Sequence, residues 1–299
     1  MGTLSIFGFR ALWSPYFLLA ILITLLAYFL LTVKYRNRFS NSEPLTKKQG
    51  IMFTAGILLL YIIKGAPIDL LGHLMFSAHM TQMAFLYLII PPMFIIGTPQ
   101  WVWRKLLSIK AIKLVFQFMT KPILGLILFN SIFSIYHIPL IFDMVKTDMI
   151  LHASYTVVLF ILAIFMWWPL VNQLEEYQTL SGLKKIGYIF AEGILLTPSC
   201  ALIIFAETSL YATYSDPSAW AESLKLCVPS GLLSTMNLTG PEMFNSMSLV
   251  DDQQLGGVLM KIIQEIILGT ILAFTFFEWA RKDQENTDIE LNQAWNDPS

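Results

Sequence analysis

Long apolar runs, separated by short charged connections, most constrain what this chain can fold into. The first, Trp13 to Val33, carries no charged residue at all. A helix rises about 1.5 Å per residue, so roughly 20 apolar residues cross the hydrocarbon core of a bilayer. Inside that core every backbone N–H and C=O needs a partner within the protein, which leaves helices as the natural solution for runs of this length. Seven runs read as spans: 13–33, 48–64, 73–97, 122–142, 149–171, 186–206 and 256–280. The expected fold is an all-α integral membrane protein, a seven-transmembrane helix bundle forming one polytopic domain over 1–299. Composition agrees, because charged residues are 13% of the chain, about half the share in a soluble domain.

Several classes fall away at this point. The net charge is −1 and the cations form no patch suited to nucleic acid. Cys200 and Cys227 stand alone and read as two ordinary thiols rather than a disulfide framework. The first run exceeds the 7–15 residues of a signal-peptide core and has no small-residue cleavage site at its end. "KYRNR" (34–38) follows it, as expected for a retained span.

Orientation follows from Lys and Arg, which concentrate on the cytoplasmic side. With the N-terminus outside and the C-terminus in the cytoplasm, 14 of the 19 cations fall inside, in 34–48, 104–121, 184–185 and 281–282. Arg10, Lys64, Lys146, Lys225 and Lys261 remain on the outer side or at outer helix ends. "WVWRKLLSIKAIKLVFQFMTK" (101–121) mixes aromatics with five cations and reads as an amphipathic helix on the anionic inner leaflet of the lipid membrane, or else as a plain basic connector. Residues 207–255 form the one long outer loop, and 281–299 a polar, mobile cytoplasmic tail. No internal repeat is detectable, which disfavours a repeat-built transporter.

On this topology all four histidines lie in or near the outer leaflet. His73 and His79 belong to span three, His137 to the outer end of span four and His152 to that of span five. Within "HLMFSAHMTQM" (73–83), Met75, His79 and Met83 recur every four residues and share a helix face, while His73 and Met80, seven apart, share a neighbouring stripe. Taken singly, each histidine reads as a hydrogen-bonded packing residue, and methionine readily fills cores. Their grouping at one depth, from three helices, points to a shared site. Thioether and imidazole suit copper; zinc more often recruits thiolate or carboxylate; haem takes two opposed axial ligands. The other intramembrane polar groups read as structural. Lys261 and Glu265 are an i,i+4 pair, Asn130 an interhelical hydrogen bonder, Glu192 a buried acid, and Pro91–Pro92 and Pro198 helix bends.

Four motifs then carry a resemblance. "FSAHMTQM" (76–83) with "LIIPPMFIIGTP" (88–99), "YHIP" (136–139), "LHASYTVVLFILAIFMWWPL" (151–170) and "DDQQLGGVLMK" (251–261) occur in that order. Together they resemble the CtaG-type assembly factors of the caa-type cytochrome c oxidase of bacilli, over nearly the whole chain. The resemblance implies a non-enzymatic role in building a haem–copper oxidase, with copper delivery the expected task. It carries over His79, His137, His152 and Asp252 as site residues. Met83 stands where many relatives have a second histidine, so Met83 or Met80 would add sulfur and favour Cu(I). Asp252 would orient a histidine or cap the site. The expected partners are oxidase subunits and a copper donor protein, docked through the outer loop with Met243 and Met247. Three alternatives stay open: a haem-handling protein using the same histidines, a transporter, and a metal-free scaffold.

Overall fold

A computed structural model describes residues 4–236 and 238–296. Helix makes up 82% of it, and no strand occurs among the described residues. Seven helices form the bundle: α1 (Pro15–Phe29), α2 (Lys47–Gly65), α3 (Phe76–Gly97), α4 (Pro122–Tyr136), α5 (Met149–Val171), α6 (Leu183–Ile204) and α7 (Leu249–Asn296). Five of the spans are long and apolar enough to cross a membrane alone. The other two qualify as bent pairs: α2 with Pro67–Leu74 at 45°, and Lys110–Met119 with α4 at 77°.

Local chemistry sets the helix ends. Thr46 and Gln49 form a reciprocal capping box at the start of α2. The Asp148 carboxylate accepts from Leu151 N at the start of α5. Proline occupies the first turn of α1, α4, Pro67–Leu74 and Pro139–Thr147, where its missing N–H leaves no helical bond unmade. Within α3 the prolines have a larger effect. Pro91 cannot bond the carbonyl of Tyr87, and residues Phe85–Ile89 widen into a π-helical turn. The freed Tyr87 carbonyl accepts instead from the Trp167 indole of α5 at 2.9 Å.

Several expected boundaries are corrected. Span three was expected to start at His73, but Met75 is extended and breaks the chain there, so His73 sits on the separate helix Pro67–Leu74. Span four was expected to reach Phe142; α4 stops at Tyr136, because Pro139 cannot continue it and starts Pro139–Thr147. The segment 101–121 is two short helices, Gln100–Leu107 and Lys110–Met119, rather than one. The last helix begins at Leu249, seven residues before the expected 256, and continues through the tail to Asn296. Residues 297–299 of that tail lie outside the described residues.

The long loop is a folded cap. Trp220, Leu224 and Val228 bury themselves against Phe7, Ala11, Leu70 and Leu74 in a second apolar cluster apart from the main core. Asp143 of Pro139–Thr147 accepts from Ala212 N, Thr213 N and Thr213 Oγ1, at 2.7 to 3.0 Å. Tyr211 donates to the His137 carbonyl and Tyr214 to the Gly72 carbonyl. The cap therefore closes over the end of the bundle that holds the histidines.

Candidate functional site

Helix α3 enters the site already tethered. Its first N–H groups have no helical acceptor of their own. The Asp252 carboxylate, reaching across from α7, accepts from Phe76 N at 2.7 Å and from Ser77 N at 3.3 Å, and it takes the Ser77 hydroxyl as well. This is an N-cap supplied by another helix, with negative charge at the positive end of the helix dipole. Asp252 was expected to orient a histidine or to cap the site; its oxygens cap helix α3.

The rest of "DDQQLGG" continues the weld. Gln253 accepts from Leu210 N, and Gln254 donates to the Ala206 carbonyl. Gly256 lets α7 approach α3, since an added Cβ would lie 2.8 Å from Phe76 and 3.1 Å from both the Met80 side chain and the Ser77 Cα. Gly257 does the same toward Ile203 and Ile204 of α6. Met80 thus packs fully buried against the last helix.

On another side of α3, His79 and Met83 line a narrow cleft between α2, α3, α4 and α5. His152 of α5 lines it too, with Lys64, Gln82, Tyr136 and Tyr155. The expected stripe survives as His79 and Met83 alone, because Met75 lies outside the helix. His79 is 2% exposed. Neither of its ring nitrogens has a protein hydrogen-bond partner, and His152 Nδ1 is likewise buried and unpartnered.

His137 takes a third position, in the turn after α4. Its Nδ1 lies 2.8 Å from the Phe133 carbonyl. A carbonyl only accepts, so Nδ1 carries the proton and Nε2 is left with a free lone pair, buried and unpartnered. The His137 and His79 rings share two neighbours. Tyr136 lies 5.0 Å and Phe142 6.1 Å from His137, while the same rings lie 6.1 and 5.2 Å from His79.

His73 is differently engaged. Its ring stands edge-on to that of His152 at 5.6 Å, but its Nδ1 faces Lys146 Nζ at 3.2 Å. With the ammonium donating, Nδ1 accepts and Nε2 holds the proton, so no lone pair remains for a metal. Sequence reasoning did not single out Lys146, which is buried here and lies over the Tyr214 ring. Burial, then the neighbouring charge of Lys64, push its ammonium down to about 7. Lys64 is paired with Asp69 at 2.6 Å, and Gln82 donates to the same carboxylate. A cation in an otherwise apolar outer segment was the only available sign of Lys146.

Seven expected residues therefore separate into groups. The fold brings His79, His152 and Met83 to one cleft, sets His137 beside it, and turns Met80, Asp252 and His73 to other tasks. Among the described residues, no three His, Cys, Asp or Glu side chains converge on one point. Cys200 and Cys227 are free thiols.

The family model for the cytochrome c oxidase caa3 assembly factors (Caa3_CtaG) matches residues 26–282. The chain belongs to that family. No curated protein and no solved structure matches it. The matched segment runs from within α1 into α7 and includes the tethered α3, Gly256 and Gly257 of α7 and every histidine. This caa3 assembly factor is a multi-pass bacterial membrane protein.

Proposed function

We propose that this assembly factor carries copper to the oxidase, holding it as Cu(I) between His79, His152 and Met83. The observation that carries the reading is the pair of unpartnered ring nitrogens on fully enclosed His79, in a cleft that also presents an imidazole and a thioether. Buried polar atoms are almost always bonded, and a soft N/N/S donor set matches Cu(I) better than zinc. His137, with its free Nε2 close by, is positioned to take part in ligand exchange. Lys146 beside the cleft, when protonated, opposes a bound cation, which favours release over retention, as a delivery protein requires.

A haem group suits the site less well. The cleft has room for only about 10 Å3 of water-sized space, far below the ~300–1,000 Å3 of ordinary ligand pockets. The cation distribution supports placing the histidine end on the outer side of the membrane. There the cap, with half-exposed Met243, would meet an oxidase subunit or a copper donor. One observation favours a second reading, a metal-free clamp on oxidase subunits: the absence of three converging His, Cys, Asp or Glu among the described residues.

Copper content separates the two readings. Purified protein loaded with Cu(I) under a competing chelator is expected to hold one equivalent. His79→Ala and His152→Ala should each weaken binding by tenfold or more, Met83→Leu by less, and Met80→Leu not at all. No stoichiometric copper, or a His79→Ala variant with unchanged affinity and full oxidase assembly, would leave the clamp.

A further inference from the structure

A second polar centre lies in the middle of the bundle, away from the cleft. Glu192 is near the midpoint of α6 and 1% exposed. Asn130 of α4 donates Nδ2 to Glu192 Oε2 at 2.6 Å and to the Leu126 carbonyl at 2.9 Å, which uses both amide hydrogens. Two buried oxygens then remain without partners, Glu192 Oε1 and Asn130 Oδ1. If Glu192 were ionised, both would be acceptors with no donor between them.

Among the described residues, no cation bonds either oxygen. The charged group facing Glu192 is Lys261 of α7. Its Nζ is spent on Gly193 O at 3.2 Å, Thr197 Oγ1 at 3.0 Å, Gln264 Oε1 at 3.1 Å and the Glu265 carboxylate at 2.8 Å. Gln264, also on α7, reaches only the Glu192 backbone carbonyl. An unpaired carboxylate in a bilayer interior costs several kcal/mol. Two oxygens are too few for a hard metal ion, which takes about six or more.

One proton would supply the donor that these two oxygens lack. We propose that Glu192 and Asn130 form an intramembrane proton-binding site, in which Glu192 carries a proton on Oε1 at neutral pH and donates it to Asn130 Oδ1. The Asn130 Nδ2–H to Glu192 Oε2 bond completes a cyclic acid–amide pair. This pair links α4 to α6 without placing net charge in the bilayer. The same face of α4 continues one turn on to Ser134, bonded to Ser199 of α6 at 2.7 Å, and ends at His137. Ser134 and His137 therefore share that face of α4 with Asn130, and the ligand of the site is a proton.

Infrared spectroscopy of the full chain in lipid nanodiscs tests this. At pH 7 the native protein should show a protonated-carboxyl C=O band that shifts in deuterated buffer and disappears in Glu192→Gln. The glutamine amide reproduces the donor and acceptor of the protonated acid, so Glu192→Gln should keep the native melting temperature while Glu192→Ala lowers it. If Glu192→Ala does not fold, the band and the Glu192→Gln melting temperature still decide. Identical carboxyl spectra for native protein and Glu192→Gln would overturn the proposal, as would a Glu192→Gln variant that unfolds at a clearly lower temperature than native.

Discussion

The cap that Asp252 places on α3 makes a sharp prediction, because a cap and a ligand-orienting residue fail in different ways. Asp252→Ala removes one short bond to Phe76 N, one long bond to Ser77 N and the acceptor of the Ser77 hydroxyl. Asp252 is 3% exposed, so water does not readily replace it. Loss of a helix cap costs about 0.5–2 kcal/mol, and each buried donor left unsatisfied about 1–3 kcal/mol. The 3.3 Å bond and the rotatable hydroxyl lie at the weak end of those ranges, so the expected loss is roughly 2–4 kcal/mol. At about 2–4 °C per kcal/mol for a domain of some 150–250 residues, and less for a chain of 299, that is several degrees in melting temperature. Asp252→Asn keeps one acceptor but turns an amide N–H toward a backbone N–H, and should lose nearly as much. The assay is thermal unfolding in detergent followed by tryptophan fluorescence, paired with Cu(I) titration well below the transition. Copper stoichiometry should survive in both variants, since no Asp252 oxygen bonds a histidine. Unchanged unfolding, or copper binding lost with an unchanged melting temperature, would refute the cap.

Three further outcomes follow from individual contacts. Gly256→Val should destabilise the protein by about 1–3 kcal/mol by driving α7 off α3, because the Ser77 backbone cannot yield; Gly269→Ala, with nothing within 4 Å, should be neutral or stabilising in the same melt. Trp167→Phe strands the Tyr87 carbonyl freed by Pro91 and should cost roughly 1–3 kcal/mol in chemical unfolding, with the loss centred on the α3–α5 contact in amide exchange. Lys146 has a folded-state pKa of about 7 against 10.5 when free. Between those values the unfolded chain binds the extra proton, so its contribution to stability rises with pH at up to about 1.4 kcal/mol per unit and is flat below pH 7. Lys146→Met should therefore gain most over native protein near pH 6 and least near pH 10; a gain independent of pH would count against this burial.

Much of the architecture is legible in the chain because a bilayer tolerates so few solutions. Apolar length marks five spans alone and the other two with a bent neighbour, and the expected ion pair of Lys261 and Glu265 and the interhelical bond from Asn130 are both present, at 2.8 and 2.6 Å. The motif order identifies the family across residues 26–282. Helix ends were less legible at the histidine end, where the breaks at Met75 and His137 depend on local backbone choices that hydropathy does not register.

What sequence could not decide was which way each polar side chain faces. Periodicity sets His79 and Met83 of "HLMFSAHMTQM" on one face and His73 and Met80 on a neighbouring stripe, but not what either face meets. A chain break sends His73 to Lys146, the close approach allowed by Gly256 buries Met80 against α7, and only His79 and Met83 reach the cleft with His152. Asp252 and Ser77, 175 residues apart, meet only because α7 packs on α3. Hydrophobic periodicity is a property of one helix and is written in one segment. Hydrogen-bond partners and cavities belong to the contact between helices, and only the packed bundle determines them.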